Sequence, residues 1–271
     1  WVDGVYGGGL AWTTLYQPLT LSLNIEQGVV APNLDDLTAR QLTGQGFQIE
    51  NPNLNAERSL TYELGARLNL ERHGLDIEGW LFAMELTEGI ERRDGVCPES
   101  DLACQASRTA RPFTLINLSE PAWMVGAEQR LTWRLPLQLT LKQHLSYARG
   151  EGPSPLAQEP DLTRPLSRVP PLNGAVSLRW GAEGAYLGAE ARWALAATRL
   201  SFGDELDSRI PFGGTPGYVV YRGLFGWRSP QRGLELLGAL ENLTNVAYRV
   251  HGSSVNGAAR SVSLSLRYTP L

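Results

Sequence analysis

Few side chains in this sequence could do chemistry. His144 and Ser146 form a His-x-Ser step, and a nucleophilic serine needs its base within hydrogen-bond reach and a third group to orient that base. Both residues share the parity of Thr140 and Lys142 on a stretch that alternates apolar and polar, and the next asparagine in the chain is Asn173. Polar residues lining an interior account for the step better than catalysis does. His73 falls in a tight turn and His251 in a loop, and three histidines so widely separated do not build a metal site. Asp35 and Asp36 offer paired carboxylates or calcium ligands, but Ala31-Pro32-Asn33-Leu34-Asp35-Asp36-Leu37 reads first as a turn and a cap. Gly7, Gly8 and Gly9 lead into a strand-like pattern, whereas a phosphate-cradling loop leads into a helix. Cys97 and Cys104 are too few for a thiolate zinc site. A local disulfide formed in an oxidising compartment is the economical reading, ahead of two free thiols.

The elements that hold these residues are strands. From Ser59 to Leu70 every second residue is apolar (Leu60, Tyr62, Leu64, Ala66, Leu68, Leu70) and the residues between are polar, charged or glycine. The same period of two runs through Leu19 to Glu26, Leu137 to Tyr147 and Ser261 to Tyr268. About eleven such segments can be matched, near residues 5–15, 19–30, 58–71, 74–88, 113–134, 137–149, 170–180, 185–200, 217–228, 233–244 and 258–268. In the segment from Leu75 to Leu86 the apolar parity slips around Gly79 and Trp80, which would suit a bulge.

The connections between these segments alternate in length. Tight turns at Tyr16-Gln17-Pro18, Arg72-His73-Gly74, Pro136, Gly181 to Gly184 and Ser229 to Gly233 alternate with long polar loops around 31–57, 89–112, 150–169, 201–216 and 245–257. All short connections therefore lie at one end of the sheet and all long ones at the other, the arrangement of outer-membrane barrels. Lipid offers no hydrogen bonds to the backbone, so a spanning sheet must pair its strands and turn an apolar face outward. On this reading Leu64, Leu139, Leu178 and Leu264 face lipid, and Glu63, Thr140, Arg179 and Ser263 face inward. Trp133, Trp180, Trp193, Trp227 and Tyr268, near strand ends on the apolar parity, suit an interfacial girdle.

Charge and hydropathy exclude other classes. With 24 basic and 28 acidic residues and a net charge of -4, the chain has no electrostatic footprint for a phosphate backbone, so nucleic acid is not an expected partner. No apolar run approaches the roughly 18 residues that a spanning helix needs.

Several stretches resemble a known family. Ala31 to Leu37, followed by Asn51-Pro52-Asn53-Leu54, Glu57, Ser59 and Tyr62-Glu63-Leu64-Gly65, is similar to the hallmark segment of TonB-dependent outer-membrane receptors. Pro165-Leu166-Ser167-Arg168-Val169-Pro170-Pro171, Arg209-Ile210-Pro211, Gly213-Gly214-Thr215-Pro216-Gly217-Tyr218 and Glu241-Asn242-Leu243 with Tyr248 resemble loop-to-strand junctions of the same group. Ala56 stands where such proteins usually carry proline, and Thr244 where they carry an aromatic residue.

The resemblance implies an all-β, antiparallel transmembrane β-barrel in the cell outer membrane, with about eleven strands present, half of a barrel of about 22. Residues 1–271 would be the C-terminal part of that barrel. The plug domain, the N-terminal strands and the segment that contacts the TonB complex have no counterpart here. The implied function is capture and energised import of a scarce, bulky nutrient such as a ferric siderophore or cobalamin, with no reaction catalysed and no cofactor. Outer-membrane lipid and the nutrient are the expected partners, with the TonB complex engaged through the part not represented. Arg92, Arg93, Phe113, Arg209, Phe212 and Tyr218 are the candidate ligand-binding residues in the external loops, and Cys97 and Cys104 the disulfide there. Two alternatives remain open. One is a small self-contained outer-membrane barrel, porin-like or, through His144-x-Ser146, phospholipase-like. The other is a soluble all-β binding protein.

Overall fold

The computed structural model describes residues 4–14, 18–43, 46–107, 111–156, 162–182, 184–229, 231 and 233–269. In chain order its elements are β1 (Gly7–Thr13), β2 (Leu19–Val30), α1 (Leu34–Thr38), β3 (Gln41–Thr43), β4 (Gly46–Ile49), β5 (Glu57–Leu70), β6 (Leu75–Thr87), β7 (Ile90–Asp94), α2 (Leu102–Ala106) and β8 (Pro112–Asn117). There follow β9 (Ala122–Leu135), β10 (Leu139–Pro153), β11 (Thr163–Pro165), β12 (Asn173–Ala182), β13 (Ala185–Ala194), α3 (Phe202–Glu205), β14 (Tyr218–Ser229), β15 (Leu234–Glu241) and β16 (Ser261–Tyr268).

Eleven of these strands form one antiparallel meander, β1-β2-β5-β6-β9-β10-β12-β13-β14-β15-β16, and β11 pairs with β10 beside it. β1 and β16 are the two ends of the path, and among the described residues they do not pair with each other, so the sheet is open. Among the described residues no helix is long and apolar enough to cross a membrane.

The two faces separate as the period of two requires. Leu64 is 53% exposed, Leu178 43% and Leu264 67%, while Leu139 is half-buried on the same face. Glu63 lies on the opposite face, where it accepts a 3.0 Å hydrogen bond from Asn24 Nδ2 across the β2–β5 pair. A single sheet has no second layer to bury against, which is why large apolar residues along the wall stay exposed. Trp133, Trp180, Trp227 and Tyr268 gather at the short-turn end, where Trp133 pairs with Leu75 and Tyr268 with Leu234. Trp193 lies at the other end of the wall, near the start of the long loop after β13.

Two expectations need correction. The segment 113–134 is not one strand. Its first part is β8, which belongs to a separate sheet, and the wall strand β9 begins only at Ala122. The break falls at Leu118 to Pro121, where Leu118 turns into a small core with Ala122 and Leu166 and Pro121 has no N–H to donate. Nor is there a bulge at Gly79 and Trp80, because β6 keeps one uninterrupted register with β5 and with β9. The apparent slip in parity arises because Trp80 and Phe82 are apolar residues on the polar face. Trp80 covers Gly65, and the ring of Phe82 fills the space a Cβ on Gly126 would need, so two aromatics pack over two bare backbone positions.

The turns are tight. Glu71–His73 forms one 3₁₀ turn closed by Gly74 at φ 64°. After Pro136, Leu137 and Gln138 both adopt positive φ, 60° and 61°, as a type I′ hairpin requires. Of the turn expected at Tyr16-Gln17-Pro18, Tyr16 and Gln17 lie outside the described residues.

The long connections are not simply loops. Those between β2 and β5 and between β6 and β9 contribute a second, four-stranded sheet ordered β3-β4-β8-β7, in which β4 runs parallel to β8. Leu54, Phe47, Phe113 and Leu118, each at most 5% exposed, are buried in these connections. Asn33 caps α1 and exchanges a capping box with Asp36, so Asp35 and Asp36 serve the helix start.

Candidate functional site

Two regions bring charged side chains together. The first is a buried polar cluster joining three long connections. Glu91, on β7, accepts hydrogen bonds from the Ser167 hydroxyl at 2.8 Å and the Ser167 amide at 3.3 Å. The Ser167 and Ser201 hydroxyls lie 2.9 Å apart. Ser201 caps α3 in a reciprocal box with Asp204, and Asp204 Oδ1 also accepts from the Arg168 amide at 3.1 Å. Asp207, 2% exposed, is gripped by its neighbour Arg209, whose Nε donates at 2.8 Å, and Arg168 approaches it at 3.7 Å. Arg249 then donates from Nη1 to the Arg209 carbonyl at 2.9 Å, tying in the connection between β15 and β16. A cavity of about 360 Å³ opens among these groups, with Glu57, Glu91, Arg168, Asp204 and Asp207 in its lining. Burial pushes the Glu91 carboxyl above its ordinary range against the hydrogen bonds from Ser167, and burial lowers the Arg92 guanidinium.

The six loop residues picked out from sequence are not gathered in one place. Arg92 is 7% exposed and its guanidinium stacks 3.7 Å from the centre of the Phe113 ring, which is itself buried. Arg93 follows on the opposite face of β7 and is half-buried. Arg209 is committed to Asp207. Phe212 is fully exposed. Tyr218 begins β14 on the polar face and packs 4.8 Å, ring to ring, against Tyr248. Cys97 and Cys104 form a disulfide with a Cα–Cα separation of 5.6 Å. That loop is fastened to the preceding one by Arg40, which donates to Asp101 Oδ2 at 2.9 Å, and this contact together with the Cys104 amide holds the Asp101 carboxyl below the usual range. Residues that sequence reasoning passed over are Ser201 and Asp204. The capping box Ser201-x-x-Asp204 was their one local signal.

The second region is a groove of about 600 Å³ on the polar face of the wall. Its shape follows from register, because residues directly opposite one another in an antiparallel pair share a face. One row runs Arg130, His144, Ala175, Arg192 across β9, β10, β12 and β13, and the next runs Thr132, Lys142, Ser177, Glu190. The small Ala175 and Ser177 on β12 form the floor, and the long side chains of β10 and β13 form the sides. His144 and Ser146 do line this groove, and Asn173 pairs with Ser146. Among the described residues no hydrogen bond joins His144 to Ser146, and Asn173 Nδ2 donates to the Pro171 carbonyl, so no base is oriented toward the serine. Among the described residues no three His, Cys, Asp or Glu side chains are grouped to hold a metal ion.

An antiparallel meander with one apolar and one polar face, short turns at one end and long structured connections at the other defines a transmembrane β-barrel wall. The model of the TonB-dependent receptor-like β-barrel family matches residues 5–243, and the chain belongs to that family. Its members are outer-membrane proteins and transporters, not enzymes. No curated protein sequence matches the chain.

Among solved structures, the copper transporter OprC superposes with a TM-score of 0.71 at 15% identity over 90% of this chain and 34% of that one. The FrpB iron transporter from Neisseria meningitidis gives 0.71 at 17% identity, covering 97% of this chain and 39% of that one. The Serratia marcescens hemophore receptor HasR, solved as a double mutant with its hemophore HasA and heme, gives 0.70 at 18% identity over the same shares. At such identities the likeness is one of fold. The chain spans between 34% and 39% of the length of these three neighbours.

Proposed function

We propose that this chain forms the C-terminal part of the barrel of an outer-membrane receptor that imports a scarce, bulky nutrient such as a ferric siderophore or cobalamin. The plug domain, the remaining strands and the contact with the TonB complex would lie outside these 271 residues. The observation that carries the reading is the open meander: eleven wall strands whose end strands, β1 and β16, have one edge each without a strand partner among the described residues. Unpaired groups facing lipid cost several kcal/mol each, at roughly the 2–7 kcal/mol of an unbonded amide, so such edges call for further strands. The iron, heme and copper named for the neighbours support a metal-bearing cargo.

Of the six loop residues, Phe212, Arg93 and Tyr218 are the better candidates to touch a ligand. Arg92, Phe113 and Arg209 act by holding the loops in place. The test is uptake of radiolabelled ferric siderophores, heme, copper and cobalamin by cells with and without the gene encoding this chain. Uptake of one of them should depend on the gene and stop when the proton-motive force is collapsed. Gene-independent uptake of every compound, or import that survives the collapse, would reject the reading.

A further inference from the structure

We infer that Asn256 is a site of self-modification, losing its side-chain amide to attack by the Gly257 nitrogen, with Arg249 as the donor that activates it. Two Asn-Gly steps occur in the chain, Asn173-Gly174 and Asn256-Gly257. A following glycine favours this reaction because it has no Cβ to obstruct its own nitrogen as that nitrogen turns toward the asparagine side chain. The fold treats the two steps oppositely. Asn173 and Gly174 are paired on both sides, with Ser146 and Leu145 of β10 and with Ala194 and Trp193 of β13, and Asn173 Nδ2 donates to the Pro171 carbonyl. Asn256 stands exposed in the connection between β15 and β16, outside any strand.

Arg249 donates from Nε to Asn256 Oδ1 at 2.8 Å, while its Nη1 holds the Arg209 carbonyl at 2.9 Å. The guanidinium is thus anchored against the oxygen on which negative charge develops as Cγ is attacked, and a cationic donor at that place lowers the barrier. The Gly257 amide donates to the Tyr248 carbonyl at 2.8 Å, so cyclisation begins with the loss of one loop hydrogen bond. At Gly174 it would require parting β12 from a neighbouring strand, an opening that costs far more than one in a loop. The step balances without cofactor or oxidant. The Gly257 nitrogen bonds to Asn256 Cγ, the Cγ–Nδ2 bond breaks, and Nδ2 leaves as ammonia with the proton of the Gly257 amide. Water then opens the cyclic imide at either carbonyl, giving aspartate or isoaspartate. The aspartate product meets Arg249 across the same contact, so a neutral acceptor becomes an ion pair and the tie to the connection carrying Arg209 is strengthened.

The protein, purified from outer membranes, is held at mildly alkaline pH in detergent micelles and, in parallel, unfolded in urea. Peptides spanning each Asn-Gly step are followed by mass spectrometry, with aspartate and isoaspartate separated by chromatography. In urea the two steps should react at similar rates, because only their sequence neighbours then differ. In the folded protein Asn256 should react about tenfold faster than Asn173 or more, with isoaspartate among its products as the mark of the imide. Arg249→Met should slow the reaction at Asn256 by about threefold or more in the folded protein and leave it unchanged in urea, the worth of one hydrogen bond to the reacting oxygen. Equal rates at the two steps in the unaltered folded protein, or a rate at Asn256 that Arg249→Met leaves unchanged or raises, overturns the inference whatever the protein is found to import.

Discussion

The Ser167 hydroxyl donates a 2.8 Å hydrogen bond to Glu91 Oε2, joining two connections 76 residues apart in the chain. With the 2.9 Å contact between Ser167 and Ser201 it makes one polar seam across three of the long connections. The rim of the barrel is held partly by polar groups, one of which, Glu91, is shifted by burial.

Burial raises the Glu91 pKa above its unfolded value of about 4.3. Between those two values the folded state holds more protons, so the seam gains stability as pH falls through the raised pKa and loses it as pH rises. Glu91→Gln keeps an acceptor for Ser167 and removes the charge. We expect it to increase hydrogen-exchange protection of the Ser167 and Arg168 amides at neutral pH and to flatten their pH dependence, whereas Glu91→Ala should lose protection at every pH. An unchanged pH profile in Glu91→Gln would show that another group sets it.

Phe82 fills the space over Gly126, so adding a methyl there forces the ring aside and also crowds the Tyr147 carbonyl oxygen, 2.5 Å from where the methyl would stand. Gly126→Ala should cost about 1–3 kcal/mol, the usual penalty for overpacking. Gly126→Ala combined with Phe82→Ala should cost less than the sum of the two single changes. Urea unfolding from detergent micelles, followed by tryptophan fluorescence, measures the cycle.

Neighbouring positions on one strand should respond in opposite ways. Leu178→Arg places a charge on the exposed apolar face and should destabilise by about 2–4 kcal/mol near the bilayer midplane. Ser177→Arg, one residue earlier but on the groove floor, should be near neutral for stability. Similar losses at both sites would contradict the assignment of faces.

The Cys97–Cys104 disulfide closes a short ring on the loop fastened through Asp101 to Arg40. Titration of the native protein in denaturant without reductant should find no reactive thiol. Reduction should loosen this loop by roughly 3 kcal/mol in the chain-entropy account, read as faster proteolysis between residues 95 and 107, while the wall strands keep their protection.

The wall was legible in the sequence because its determinants are local. Alternation from Ser59 to Leu70 assigns each side chain to a face whatever the strand pairs with, and the alternation of tight turns with long connections orders the strands into a meander. The aromatics of β6 break the alternation, since Trp80 and Phe82 belong to the polar face and pack over glycines on neighbouring strands, a relationship that no single strand displays.

The sites lay beyond local pattern. Arg130, His144, Ala175 and Arg192 form one row because three hairpin and loop connections set the register of four strands, and a slip of one residue in any of them would scatter the row. Parallel pairing of β4 with β8, burial of Arg92 against Phe113, and the meeting of Glu91 with Ser167 and Asp204 each join segments dozens of residues apart. Alternation alone thus determined which residues face lipid and which face the interior. Which interior charges stand together was decided by strand register and loop packing, because those contacts form only when distant segments are fixed against one another.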